Sequence, residues 1–191
     1  NRLNFLFKDL EKINKIFNFR SIIKDELNFN GKIKNYKHHL CHVASSYYSS
    51  GFDEALCLSI DGFGEHETGI LASGKRGDIE IINNENVYPH SLGLLYSAIT
   101  FFLGWKNHCD EGIIMGLAPF GNSSHKIPNS DKTYIEVFRE ILIHETDFKF
   151  KINELYIDYY TQRDKWVNTK FIEVFGNPRK YGDKLNQHHK D

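Results

Sequence analysis

The chain has 191 residues, of which 40% are hydrophobic and 26% charged, with a net charge of -1; this is the composition of a globular protein that buries about 70% of its unfolded surface. So balanced a charge leaves no electrostatic footprint for nucleic acid or an anionic membrane, and no stretch reaches the ~20 apolar residues that cross a bilayer. The three cysteines, Cys41, Cys57 and Cys109, are too few and too irregularly spaced for a disulfide framework or a four-cysteine zinc site, and they fit a reducing, cytoplasmic setting.

Leu3, Leu6, Leu10, Ile13 and Phe17 recur at three- and four-residue steps, which predicts an amphipathic helix over 3–17. Asn30-Gly31 marks a turn. Leu40, Val43, Ala44 and Tyr47 predict a second helix over about 36–50, ended by Gly51. The apolar run 55–60, closed by Asp61-Gly62, reads as a buried strand entering a tight turn, with Cys57 as a small buried hydrophobe. Runs 68–72 and 79–82 are strand-like, and 73–78 joins them as a hairpin loop.

A helix follows over 91–103, then a glycine-rich segment over 112–121; 134–143 and 165–175 read as helical and 148–152 as a strand. Strands interleaved with helices imply a layered α/β or α+β fold. Asn1-Arg2-Leu3 carries neither an initiating Met nor a signal-peptide core, and the chain stops abruptly at Gln187-His188-His189-Lys190-Asp191. The expectation is a partial domain, 1–191, of a longer protein.

The densest chemistry lies in His38-His39-Leu40-Cys41-His42. Residues four apart on a helix share one face, so His38 and His42 can aim two imidazoles at one divalent metal. His39 points roughly 100° away and is free for another task. Two imidazoles leave a site open, and Glu65, Asp110 and Glu111 are all internal candidates for a third ligand; spacing selects none of them.

Asp61-Gly62-Phe63-Gly64-Glu65 follows a strand directly. Glycines there let main-chain N–H groups approach an anion, so Asp61, Gly62 and Gly64 form a candidate phosphate turn, although Asp-Gly is also the commonest plain turn. Ser91 is a helix N-cap, and the small Gly93 and nearby Tyr96 suit a pocket wall as well as a packed core. Glu111, Met115 and Gly116, within Glu111–Gly121, suit a tight loop beside a pocket or a buried packing turn.

In this order, four segments resemble the O-carbamoyltransferase family that includes the nodulation-protein, cephamycin and tobramycin types: His-His-Leu-Cys-His-Val-Ala-Ser-Ser-Tyr-Tyr (38–48), Leu-Ser-Ile-Asp-Gly-Phe-Gly-Glu (58–65), Ser-Leu-Gly-Leu-Leu-Tyr-Ser-Ala-Ile-Thr (91–100) and Met-Gly-Leu-Ala-Pro-Phe-Gly (115–121). The resemblance implies a ribonuclease-H-like α/β fold of the actin/Hsp70/sugar-kinase kind, and a transferase that makes carbamoyl-adenylate from carbamoyl phosphate and ATP and passes the carbamoyl group to a hydroxyl of a sugar or secondary metabolite. It also implies a divalent metal, typically iron, on His38 and His42, with the third ligand a later aspartate outside this chain. His39 would lie beside the carbamoyl group, and Asp61 to Gly64 would face phosphates or adenylate.

A metal polarising the carbonyl and His39 accepting the hydroxyl proton would complete the chemistry. Partners are then small-molecule substrates and the rest of the same chain, without which the piece is expected to be inactive. Three departures qualify the match. The family's opening strand does not precede residue 1, its adenylate-forming domain is not in this chain, and Ile113 replaces a basic residue. They motivate one alternative, a non-catalytic metal- or nucleotide-binding remnant. A kinase or ATPase of the same superfold is another, and it would have no use for paired histidines. A tRNA-modifying role lacks a basic patch, and hydrogenase maturation lacks its cysteine-rich modules.

Overall fold

The computed structural model describes residues 2–145, 147–161 and 165–191, and the chain divides into two units, Asn1–Tyr36 and Lys37–Asp191. The first unit is a single helix, α1 (Arg2–Leu27), followed by a segment without regular secondary structure that bends at Gly31. It runs ten residues past the expected end at 17. No breaker falls after Phe17; the stop comes at Asn28, in the left-handed region at φ 47, with Phe29 N–H returning to Lys24 O at 3.1 Å. The side chains of Leu3 and Leu6 lie outside the described residues.

The second unit opens with α2 (His38–Ser50), ended as expected by Gly51 at φ 75. Strands β1 (Glu54–Ile60), β2 (Glu67–Lys75) and β3 (Asp78–Val87) follow as an antiparallel sheet in the order β1-β2-β3. Alternation decides the packing. Ala55, Cys57 and Ser59 point from β1 toward α2, where Val43, Tyr47, Cys57, Ile70 and Ala72 form one core, while Leu56, Leu58 and Ile60 face outward. The β2–β3 loop is tighter than expected: Lys75 pairs with Asp78, and Arg76 and Gly77 turn the chain at φ 51 and φ 91, the positive pair of a type I′ turn.

β3 also outruns the expected 79–82 through polar Asn83-Asn84-Glu85-Asn86. Buried Asn86 explains the extension: its side chain donates to Phe148 O at 2.8 Å and accepts from Phe150 N–H at 3.1 Å. It thereby ties β3 to a second, two-stranded antiparallel sheet of β4 (Leu142–His144) and β5 (Phe150–Ile152).

A larger core joins α3 (Leu92–Phe102), α4 (Glu111–Leu117), α5 (Tyr134–Ile141) and α6 (Thr169–Phe175) through Leu94, Ala98, Phe102, Ile141, Ile157 and Phe171. The expected glycine-rich loop is instead α4, continued by a short 3-10 turn over Ala118–Phe120. α5 gives way at Leu142 to strand, where the β-branched Ile143 favours extended backbone and no glycine or proline announces the change. α6 starts at Thr169, because Val167 is used in a bridge with Ile157. The fold is therefore mixed α/β with small antiparallel sheets. Among the described residues no helix is long and apolar enough to cross a membrane.

Candidate metal centre

The first turn of α2 presents His38 and His42 on one face, as the four-residue spacing requires. Their Nε2 atoms lie 3.1 Å apart. The apolar β1 strand ends at Ile60 and delivers Asp61 to the same point: Oδ2 is 2.8 Å from His38 Nε2 and 3.5 Å from His42 Nε2. Metal bonds of about 2.1 Å place neighbouring ligand atoms about 3.0 Å apart at right angles and about 3.4 Å apart in a tetrahedron. The three separations span that range, and among the described residues this trio is the group that could hold an ion.

The chemistry of the donor set agrees. Three polar atoms converge, yet a ring N–H on His38 can serve either Asp61 or His42 but not both. A cation would occupy all three lone pairs at once.

Burial pushes the Asp61 carboxyl up, but the His38 hydrogen bond, the Gly62 N–H and the charges of His38 and His42 outweigh it, so its pKa lies below the ordinary value. Asp61 is thus a carboxylate at neutral pH. Its other oxygen accepts from Gly62 N–H at 2.7 Å, which leaves Oδ2 for the histidines, the outer support that orients a ligating carboxylate. Spacing left the third ligand open among Glu65, Asp110 and Glu111, and the resemblance implied a later aspartate; the structure brings Asp61, which had been read with the phosphate turn, beside the two histidines.

The loop differs from a phosphate cradle. Gly62 N–H is taken by Asp61, and Gly64 N–H donates to Glu67 O at 2.7 Å. The amides of both glycines are thus engaged within the chain. Gly64 serves closeness instead: a Cβ there would lie 2.9 Å from the His38 Cβ. Gly93 acts likewise, since its Cβ would meet Gly62 N at 2.5 Å and Asp61 C at 2.6 Å. Ser91, fully buried, caps α3 by accepting from Leu94 N–H and donates to Asp61 O, each at 3.0 Å. The start of α3 therefore braces the Asp61 loop.

His39 departs from its expected part. It is 3% exposed, with Nδ1 2.7 Å from Ser59 Oγ and Nε2 2.9 Å from Glu67 O. A carbonyl only accepts, so Nε2 carries the hydrogen and Nδ1 accepts from the serine hydroxyl. Neither ring nitrogen is left to take a proton from an attacking hydroxyl.

The other expected pocket residues scatter. Tyr96 lines a cleft of about 200 Å³ with Ile114, Phe138 and Phe171, and Ser91, Gly93, Glu111, Met115 and Gly116 are not in its wall. Glu111 opens α4 and ties it to α3 and to the preceding turn, accepting from Ser97 Oγ and His108 N–H at 2.6 Å each. Met115 is 67% exposed, and nothing lies within 4 Å of a Cβ at Gly116. Sequence reasoning passed over Lys37, Ser59 and Glu67. For Ser59 a signal existed: its place in the inward alternation of β1.

Residues 8–191 match the family described as Carbamoyltransferase N-terminus, and the chain belongs to that family. It is 39% identical over 145 residues to an uncharacterized protein of Synechocystis, covering 75% of this chain and 22% of that protein. Against nodulation protein NolNO of Sinorhizobium fredii the identity is 36% over 113 residues, 58% of this chain and 15% of the relative. An uncharacterized Methanocaldococcus jannaschii protein is 32% identical over 178 residues, 84% of this chain and 28% of its own length. The chain thus spans less than a third of each of these relatives.

Proposed function

We propose that the chain is the metal-bearing part of a transferase that moves a carbamoyl group from carbamoyl phosphate, by way of a carbamoyl-adenylate made with ATP, to a hydroxyl of a sugar or secondary metabolite. The convergence of His38, His42 and Asp61 carries this reading, and membership of the carbamoyltransferase family supplies its chemical context. The ribonuclease-H-like superfold belongs to the same proposal. Remaining parts of the fold, an adenylate-forming domain and a later aspartate ligand would come from the rest of a longer chain.

His38 and His42 would hold a divalent ion, iron in this reading, through Nε2, and Asp61 through Oδ2. Such an ion would supply Lewis acidity toward a carbamoyl carbonyl held beside these residues. Gly62 N–H keeps Asp61 oriented, and Gly64 and Gly93 let the ligand-bearing helix and loop close on each other. The side chains of His42 and Asp61 are about half exposed, so the cluster stays open on one side to a small-molecule substrate. His39 enters this proposal as an orienting residue. A kinase or ATPase of the same superfold would use the Asp61-Gly62 turn but has no use for two imidazoles 3.1 Å apart beside it.

Elemental analysis of the full-length gene product purified anaerobically should find one metal per chain. Substituting His38→Ala or His42→Ala should abolish retention and lower carbamoyl transfer by two orders of magnitude or more. Metal-free wild-type protein with full transfer activity would refute the proposal.

A further inference from the structure

We infer that His39 and Glu67 are positioning residues that set the spacing of His38 and His42 against Asp61 before an ion arrives. This rests on the metal reading above. Three consecutive residues entering α2 are each fastened to the 59–67 segment. Lys37 Nζ donates to Glu67 Oε1 at 2.9 Å. The backbone N–H of His38 faces the Glu65 carboxylate at 3.3 and 3.4 Å. His39 bridges Ser59 on β1 and the Glu67 carbonyl on β2.

Each fastening does a separate job. Lys37, the residue before α2, offers no side-chain cap to its own helix. The Glu65 carboxylate supplies one from outside, where the helix dipole favours negative charge. A carboxylate only 4% exposed, as Glu67 is, persists when paired; Lys37 pairs it from the α2 side, beside His66 at 3.3 Å, so drift of the chain just before His38 would weaken the pairing of a buried carboxylate. His39 fixes rotation. Its ring can satisfy Ser59 and Glu67 together in one orientation of α2, and that orientation turns His38 and His42 toward Asp61. None of these groups touches His38 Nε2, His42 Nε2 or Asp61 Oδ2, so they act through the ligands.

Losing such outer supports costs about 10- to 100-fold in metal affinity. The test is a Co(II) titration of the metal-free full chain, read by visible d–d absorption, which reports both affinity and ligand geometry. His39→Ala and Glu67→Ala should each weaken Co(II) binding by about 10- to 100-fold and alter the band shape. His39→Gln, which keeps a donor toward the Glu67 carbonyl, should recover part of the loss. Val137→Ala, in the other core, should lower thermal stability and leave the titration unchanged, which separates positioning from general weakening.

If His39→Ala does not fold, Ser59→Ala and Glu67→Gln carry the same comparison. Wild-type protein that binds no Co(II), or binds it equally after His38→Ala, overturns the metal reading and this inference with it. Wild-type protein that binds while the His39, Ser59 and Glu67 variants titrate identically overturns the positioning role alone.

Discussion

A missing Cβ on α3 controls how closely that helix approaches the Asp61 loop. Gly93 sits in the first turn of α3 with its Cα against the Asp61-Gly62 backbone, and an added methyl would meet main-chain atoms that no side-chain rotation can move away. Gly93→Ala is therefore expected to cost about 1–3 kcal/mol and to displace Asp61 from the histidines. Urea denaturation and Co(II) titration of the same variant should fall together. His39 teaches the complementary lesson. Its neighbours in sequence suggested chemistry, yet its partners, Ser59 and Glu67, lie 20 and 28 residues away, and they make it a strut. The His38–His42 pair was legible because both members lie on one helical turn. Asp61 was visible as a residue but not as their partner, because that pairing depends on how β1 ends against α2.

Elements with strong periodicity were readable, and those whose state is decided by distant partners were not. α2, β1, α3 and α5 lie close to their expected bounds, since apolar spacing and local caps such as Ser91 and Thr133 determine them. The polar second half of β3 carried no strand signal of its own. It is extended because Asn86 serves as a two-point clamp on the segment entering β5. Replacing Asn86 with Ala should strand the Phe150 N–H and the Phe148 carbonyl in the interior and cost about 2–3 kcal/mol. Hydrogen exchange should show the loss first at Phe150, with the β1–β2 amides less affected. α4 was misread because Gly112 and Gly116 suggest a loop; both lie on its open side, where a missing side chain costs packing nothing.

At the scale of the whole molecule, three carboxylates shielded from solvent share one electrostatic design. In Glu67, Glu111 and Asp191, burial raises the pKa. Hydrogen bonds from Lys37, from Ser97, and from His125 with Gln187, respectively, outweigh it, and all three titrate below their ordinary values. A lowered folded-state pKa means that the unfolded chain binds protons first as pH falls. Their stabilisation is complete above the unfolded carboxylate values near ~4 and disappears as pH drops through the folded ones. Urea midpoints should hold steady from pH 7 to about 5 and then fall steeply toward pH 3, with a shallower fall in Glu111→Gln. An unchanged acid limb in that variant would remove Glu111 from the set.

His38 and Asp61 stand 23 positions apart in the chain, at the two ends of a helix-then-strand unit whose own contacts are short-range. The stretch between them is short, and β2 through the Glu67 carbonyl and α3 through Ser91 complete its alignment. A cation seated between them would act as a removable cross-link across that stretch, bound by the native chain and released by the denatured one. Occupancy and conformational stability would then be linked quantities, each rising with the logarithm of free ion concentration above its dissociation constant.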